Sequence, residues 1–284
     1  MTAGAGSGPA VPPLTLVILA RPDPIQIFTT NRVADLVPVA AVISEVGRSF
    51  GDRHSRRFRS FVRKGGLLNA IDRYIDLAYF KLRTRLDDHA GTVNRMLAPD
   101  GNPHAYAVGM KVFEVENVNS PESVALLREL APDIVFCNGS SILKKPVIEI
   151  PRLGVINIHT GVVPDYRGPS PEFWALHNGD FDKIGVTIHT LTEGIDDGDV
   201  ILEERTLVEA EDNEITLRCK NVRTGARLVA EAVALIAAGK ARPIPQDAAR
   251  AKSWPKRTRR EDMRMRRRLA AFRRAAGKPI GKTR

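Results

Sequence analysis

The chain has 284 residues, of which 43% are hydrophobic and 27% are charged. This composition matches ordinary globular usage and excludes a chain that is disordered throughout. The length allows one large domain or one domain with an appendage. Its two cysteines, Cys137 and Cys219, lie far apart and show no Cys-x-x-Cys or clustered His/Cys spacing. We therefore expect neither a disulfide framework nor a metal site.

The formal net charge of +10 is concentrated at the carboxyl end. Residues 240–284 contain 17 Lys/Arg and 3 Asp/Glu, whereas the rest of the chain contains 26 and 30. Residues 1–13 are rich in Gly, Ala and Pro, and the apolar run that follows is too short to span a membrane. We expect a flexible leader at 1–13, a catalytic domain at 14–239 and a basic extension at 240–284. The protein is expected to be cytoplasmic, without a membrane partner.

The first two elements are predicted to be strands joined by a helix. Leu14–Ala20 and Val37–Ser44 are short apolar runs with β-branched residues, typical of strands that are buried on both faces of a parallel sheet. A stretch of helical length separates them. The pattern predicts a right-handed parallel crossover at the start of a doubly wound α/β sheet.

Residues from about 47 to 100 form a predicted helical insertion. They are rich in Arg and Lys, with apolar residues at helical spacing from Phe58 to Phe80. A basic amphipathic helix can bind a membrane or a nucleic acid. We favour a helix that packs its apolar side on the domain and exposes a charged face.

The remaining elements continue the alternation of strands and helices. Ser120 and Pro121 mark the start of a helix as N-cap and first helical residue. Gly239 marks the end of a long helix. The predicted strands are Lys111–Val115, Asp133–Cys137, Val155–His159 and Gly185–Leu191, and the predicted helices are Ser120–Leu130, Ile215–Ala238 and a short basic helix at Arg260–Ala275 in an otherwise extended terminal segment.

Asn157 and His159 end one of these predicted strands and precede a Pro/Gly-rich stretch. Being two apart, they face the same side of the strand, at the end where α/β sheets bind ligands. An amide and an imidazole suit acyl transfer, which needs donors for an oxyanion and a proton acceptor for an amine. An open alternative is that Asn157 and His159 only form hydrogen bonds to the backbone of a neighbouring loop.

A second polar motif, Gly194–Asp199, follows another predicted strand and carries Asp196, Asp197 and Asp199. An acidic turn or a cation site would have this composition. A carboxylate that orients His159 and raises its basicity would have it too. The residues alone leave these interpretations open.

Four stretches of the chain resemble, in order and spacing, the signatures of the 10-formyltetrahydrofolate-dependent formyltransferases. They are residues 154–159, 164–171, 185–188 and 195–199, within a matching core of about 133–207. That family includes methionyl-tRNA, glycinamide-ribonucleotide and amino-sugar enzymes. The resemblance implies an α/β, Rossmann-like formyltransferase fold with a mostly parallel sheet, a helical insertion and a short basic extension.

The resemblance also implies the roles of individual residues. Asn157 and protonated His159 stabilise the oxyanion, and Asp196 positions His159 and helps to move the proton. The formyl donor is 10-formyltetrahydrofolate. Its pterin ring is expected at Asn138, Gly139, Ser140, Ile142 and Leu143, with Glu193 and Ile195 closing over it. The acceptor is expected at Tyr166, Arg167, Gly168, Pro169 and Trp174, although core packing is the favoured alternative for Trp174.

Departures from the family pattern bear on the acceptor. Thr190 stands where small-molecule relatives often carry an aromatic residue, the basic loop of methionyl-tRNA enzymes is not recognisable after Ser44, and their carboxyl-terminal barrel does not fit after Gly239. We expect a small-molecule amine such as an amino-sugar nucleotide or a modified amino acid. Methionyl-tRNA formylation and deformylation of the donor are alternatives, and a homodimer is possible. RNA binding by the basic tail is a possible but less favoured function of another class.

Overall fold

The computed structural model describes residues 14–47 and 50–275, with side chains undescribed at 50–65, 69 and 275. The predicted leader and the end of the basic extension lie outside the described residues. The strands are β1 (Leu16–Ala20), β2 (Ala41–Glu45), β3 (Val112–Val115), β4 (Ile134–Asn138), β5 (Val155–His159), β6 (Gly185–Thr190) and β7 (Val200–Arg205). The helices are α1 (Pro24–Ala34), α2 (Phe50–Leu86), α3 (His89–Leu97), α4 (Pro121–Leu130), α5 (Lys145–Ile148), α6 (Pro171–Asn178), α7 (Glu214–Ala237) and α8 (Arg259–Ala275).

The strands form one sheet in the order β3-β2-β1-β4-β5-β6-β7. The strands from β3 to β5 are parallel, and β6 runs antiparallel to both β5 and β7. This arrangement confirms the predicted mostly parallel, Rossmann-like fold. Chain order reverses between β1 and β4, so a crevice forms at the carboxyl ends of the central strands.

The core lies on both faces of the sheet, because the parallel strands are apolar throughout and all five residues of β1 are buried. The predicted bounds of β5 agree with the structure. β2 begins later than predicted, at Ala41, since Pro38 has no N–H for a ladder. One face packs Leu16, Ile18, Phe136, Val229 and Ala232, and the other packs Val17, Leu19, Val135, Leu127 and Val147.

The predicted insertion contains α2 and α3, but α2 packs differently from the expectation. Gly66 lies within α2 at φ +77°, a left-handed conformation that interrupts the regular helix. Beyond it, Ala70 and Asp76 are buried, whereas Leu68 is 83% exposed. The apolar positions therefore do not all turn to the domain. No helix in the described ranges is both long and apolar enough to cross a membrane.

Residues 244–258, which we call the C-terminal strap, are built into the fold. The backbone of Ile244 pairs with Val200 in β7, with N···O distances of 2.9 and 2.8 Å. Farther on, Arg167 N–H donates to the Lys252 carbonyl at 3.1 Å, and Trp254 N–H donates to the Arg167 carbonyl at 2.9 Å. The Trp254 ring stacks 4.8 Å from that of Trp174. The terminal segment, expected to cross the surface, instead holds the loop after β5.

The backbone pairing between Arg167 and the C-terminal strap requires a residue without a side chain at Gly168. Its φ is +92°, and a Cβ would lie 2.7 Å from the Trp254 carbonyl oxygen. We expect Gly168→Ala to lower the free energy of unfolding by about 3 kcal/mol, from backbone strain and overlap together. Urea unfolding followed by tryptophan fluorescence measures the loss.

Gly179→Ala is the matched control for this substitution. Gly179 has φ +84°, and nothing lies within 4 Å of a Cβ placed there. The control carries the strain alone, so we expect a loss of about 1 kcal/mol. Equal losses in both variants would contradict the importance of the close approach to the strap.

Candidate active site

His159 and Asp196 meet at the carboxyl end of β5. The His159 side chain is buried, and its Nδ1 lies 3.5 Å from Asp196 Oδ2. Its Nε2–H donates to the Tyr166 carbonyl oxygen at 2.7 Å, since a carbonyl can only accept. This bond to the loop after β5 orients the ring, so Nδ1 is the nitrogen that faces the carboxylate.

Asp196 is held in place from two sides. Its Oδ2 accepts the Gly168 N–H at 2.8 Å, and its backbone has φ +49°, which is unusual for an aspartate. Gln246 of the C-terminal strap donates to the carbonyl oxygens of Asp196 and Gly198 at 2.9 and 2.7 Å. Gln246 Oε1 also accepts from Arg167 Nε and Nη2, at 3.0 and 2.8 Å. One side chain of the strap thus ties together both loops of the site.

Asn157 joins this group through His189, a residue to which the sequence assigned no role. The His189 Nδ1–H donates to the Thr190 carbonyl at 2.7 Å, so Nε2 is free to accept the Asn157 amide N–H at 3.1 Å. Asn157 and His189 are register partners in the β5–β6 ladder. His189 Nε2 also lies 3.8 Å from Asp196 Oδ1. The structure therefore brings the three predicted catalytic residues into one cluster.

Burial lowers the pKa of His189 below 6.5, and the neighbouring His159 adds to this shift, while the Thr190 carbonyl and the Asp196 and Asp197 carboxylates oppose it. The neutral imidazole is the form that can accept from Asn157.

A pH dependence of stability follows from the neutral His189. As the pH falls through about 6.5, the unfolded chain gains a proton that buried His189 does not take up until a lower pH. Stability is therefore lost as pH falls below 6.5. We expect His189→Gln, which keeps a donor and an acceptor, to lose less stability between about pH 7 and 5.5 than the natural protein. Urea unfolding at both pH values tests this, and equal losses would contradict it.

The predicted folate residues divide into buried supports and exposed side chains. Asn138 is buried at the end of β4 and donates to the Gln26 carbonyl at 2.9 Å and to Thr30 Oγ1 at 3.1 Å. Leu143 is also buried. The other members are Gly139 at φ +73°, the half-buried Ser140, and the exposed Ile142, Glu193 and Ile195. The exposed members are the ones that can contact a ligand.

The predicted acceptor residues line the loop after β5, but most serve the fold. Tyr166 is buried, and its hydroxyl donates to Asp180 at 2.6 Å. Burial and the adjacent carboxylate raise the pKa of Tyr166. Trp174 is a buried residue whose Nε1–H donates to the Pro255 carbonyl at 2.9 Å. Arg167 and Gly168 are half-buried and bind the strap and Asp196, and Pro169 is exposed.

The cluster offers an amide donor, an imidazole and a carboxylate within one crevice. The remaining N–H of the Asn157 amide has no hydrogen bond within the described part of the chain. An amide donor beside an imidazole and a carboxylate can stabilise a developing oxyanion and accept a proton from a nucleophile. The arrangement suits acyl transfer.

Comparison with known proteins agrees with this chemistry. The family model described as Formyl transferase matches residues 82–233. Among curated proteins, methionyl-tRNA formyltransferase from Methylacidiphilum infernorum is 42% identical over 151 residues, which cover 53% of this chain and 47% of that protein. The enzyme of the same name from Kosmotoga olearia is 38% identical over 149 residues, covering 52% and 48%. The chain spans about half the length of these relatives.

Solved structures share the fold. A glycinamide ribonucleotide transformylase from Symbiobacterium toebii matches with a TM-score of 0.51 at 19% identity, over 82% of this chain and 94% of that one. A sugar N-formyltransferase from Shewanella matches with a TM-score of 0.54 at 15% identity, over 90% and 87%. At such identities these matches concern the fold alone. Because the family model covers more than half of the chain, the protein belongs to the formyl transferase family.

Proposed function

We propose that the protein transfers the formyl group of 10-formyltetrahydrofolate to a primary amine. The observation that carries this proposal is the convergence of Asn157, His159 and Asp196 at the end of β5, linked through His189. Family membership supports the same reaction. The deformylase alternative would use the same groups with water in place of the amine.

In the proposed reaction, the acceptor nitrogen attacks the formyl carbon and forms a new C–N bond. The oxyanion receives a hydrogen bond from the Asn157 amide, and the positive charge of the nearby His159 imidazolium stabilises it further. The bond from the formyl carbon to N10 then breaks. The attacking nitrogen loses one proton and N10 gains one, and Asp196 with His159 provides the relay between them. The tie from His159 to the Tyr166 carbonyl makes Nδ1 the nitrogen that exchanges this proton.

The pterin ring of the donor is assigned to the surface between the loops after β4 and β6. Ile142 and Ile195 are 72% and 54% exposed, which is unusual for apolar side chains beside a catalytic cluster and suits the two faces of a flat ring. Glu193 is exposed on the same loop as Ile195. Asn138 acts here by securing the end of β4 to α1 rather than by contacting the donor.

The acceptor is proposed from the sequence relatives. The first curated matches bear the name methionyl-tRNA formyltransferase, at up to 42% identity. This favours an aminoacyl-tRNA amine over the small-molecule amine expected from the sequence departures. The basic terminal segment has the charge that such an acceptor requires. An amino-sugar nucleotide is the second candidate.

The test is release of tetrahydrofolate from 10-formyltetrahydrofolate by the full chain. The acceptors are methionyl-tRNA, free methionine, amino-sugar nucleotides and buffer alone, and Asn157→Ala is the inactive control. Turnover with methionyl-tRNA alone supports the aminoacyl-tRNA acceptor. Turnover with an amino-sugar nucleotide alone identifies the amino sugar as the acceptor instead. Formate release with buffer alone identifies a deformylase. Absence of both donor binding and turnover would overturn the enzymatic proposal, and retention of RNA in that case would favour the RNA-binding alternative.

A further inference from the structure

The outer face of α2 carries a continuous apolar seam that the formyl-transfer proposal does not use. The seam consists of residues spaced by three, four or seven positions, which places them on one face of the helix. At 1.5 Å per residue it is about 27 Å long. Its members and their exposed fractions are Leu68 at 83%, Ile71 at 47%, Ile75 at 48%, Leu82 at 56% and Leu86 at 65%.

The side of α2 that carries Ala70 and Asp76 holds the helix on the protein, so the seam is not a consequence of loose packing. Ala70 and Asp76 are buried there. The Arg259 Nη1 bonds Asp76 at 3.0 Å, and the Tyr79 hydroxyl donates to Asp262 at 2.8 Å. The helix is thus attached by polar and buried residues, while the large apolar side chains of the seam are exposed. A row of large apolar side chains on a surface marks a binding site for an apolar partner.

Exposed positive charge lies on α2 itself and on the neighbouring helix α8. Lys81 and Arg85 are exposed on α2 itself. Beside α2, helix α8 presents a stripe of exposed arginines spaced by three, four and seven residues: Arg260, Arg264, Arg267 and Arg274. Within the described part of the chain none of these four guanidinium groups has a hydrogen bond or ion pair. The contacts of α8 with α2 come from Arg259, Asp262 and Arg266, which leaves the stripe on the solvent side.

We propose that α2 and α8 together dock the protein on an anionic lipid surface. The seam residues enter the boundary between headgroups and acyl chains, and the arginines of α8 contact lipid phosphates. This departs from the expectation of a protein without a membrane partner. It concerns a surface separate from the His159 cluster and does not depend on the identity of the acceptor.

Charge and polarity decide among the possible occupants. If two copies of the chain joined their seams, the arginine stripes would be brought close together, and like charges oppose such a contact. A nucleic acid could use the arginines, but phosphates and sugars would leave the leucine and isoleucine side chains in water. An anionic lipid surface satisfies both, because it offers an apolar layer directly below a layer of negative charge.

The experiment is flotation of the full chain with vesicles made of phosphatidylcholine alone or of equal parts phosphatidylcholine and phosphatidylglycerol. We expect binding to the anionic vesicles and at least about tenfold weaker binding to the neutral ones. A triple variant, Leu68→Gln with Ile71→Gln and Ile75→Gln, is expected to weaken binding to the anionic vesicles by about tenfold or more. The variant should keep its rate of formyl transfer in solution.

The matched control replaces three exposed apolar residues that lie outside α2, Leu36, Val108 and Leu207, with glutamine. It should bind vesicles as the natural protein does. A second variant, Arg260→Gln with Arg264→Gln and Arg267→Gln, should remove the preference for anionic vesicles.

Each of the following results would overturn the proposal. The first is no binding to either vesicle, or equal loss in the control. The second is a dimer in sedimentation without lipid that the seam variant converts to a monomer, which would assign the seam to a second copy. The third is salt-sensitive retention of RNA, abolished by the arginine variant and unchanged by the seam variant, in a protein that does not float with vesicles.

Discussion

Replacing His159 with glutamine is expected to lower kcat for formyl transfer by about 10³-fold. The glutamine amide nitrogen reaches the position of Nε2 and can still donate a hydrogen bond towards the Tyr166 carbonyl, so the loop after β5 retains a partner. Glutamine carries no group that can hold a positive charge or exchange a proton with Asp196. Steady-state rates at saturating acceptor measure the effect, and an unchanged midpoint of urea unfolding shows that the fold is intact.

The variant Asp196→Asn removes the negative charge of the carboxylate and keeps a side chain of the same shape in its position. The variant can still accept the Gly168 N–H, whereas its amide group offers no negative charge to the His159 Nδ1. We expect a fall in kcat of about 10²-fold or more. If the two residues act as one unit, the double variant will be little slower than His159→Gln alone. The proposed relay would be contradicted if the losses in kcat of the two single variants multiplied in the double variant. A loss below about tenfold in either single variant would also contradict it.

Removing the Gln246 side chain is the second substitution from which we expect a large effect. Gln246→Ala deletes the donors to the Asp196 and Gly198 carbonyls and the acceptor for Arg167. The Asp196 loop then loses its tie to the strap, and a carboxylate displaced by about 1 Å can cost about 10²-fold in rate. We expect kcat to fall by about 30-fold to 10²-fold with a smaller change in KM.

Two further variants show whether positioning is the cause. Gln246→Glu retains the acceptor for Arg167 but not the donors to the carbonyls, so it should be nearly as slow as Gln246→Ala. Arg250→Ala removes a contact from the same strap to Asp165 in a pair whose arginine is 57% exposed, and its rate should stay within about twofold. A normal rate in Gln246→Glu would show that Gln246 acts through its bond to Arg167 and not through its bonds to the Asp196 loop.

The sequence was sufficient for the parts of the fold that local patterns determine. Buried parallel strands are apolar along their whole length, which made β1, β4 and β5 visible as short runs. The start of α4 was visible because Ser120 and Pro121 are a recognisable N-cap and first turn. Asn157, His159 and Asp196 were identified through the resemblance to the motifs of the family, and the structure places them together.

The other parts of the site depend on residues that are distant in the sequence. The contact of His189 with the site could be recognised only from its register with Asn157 across the β5–β6 ladder. Gln246 lies about 50 residues after Asp196, in a segment whose Pro- and Arg-rich composition indicated a loose extension. The seam on α2 was misassigned because helical periodicity identifies an apolar face without showing what covers it.

The position of the C-terminal strap affects when the enzyme becomes active during its synthesis. A nascent chain already contains Asn157, His159 and Asp196 well before the ribosome adds Gln246 and Trp254. The sheet up to β7 can fold as it emerges, because folding of a nascent chain proceeds from its amino end. The Asp196 loop, however, lacks its partner until the strap has left the ribosome. The chain is therefore expected to fold before it can catalyse, and activity would follow the docking of the strap instead of the first compact state.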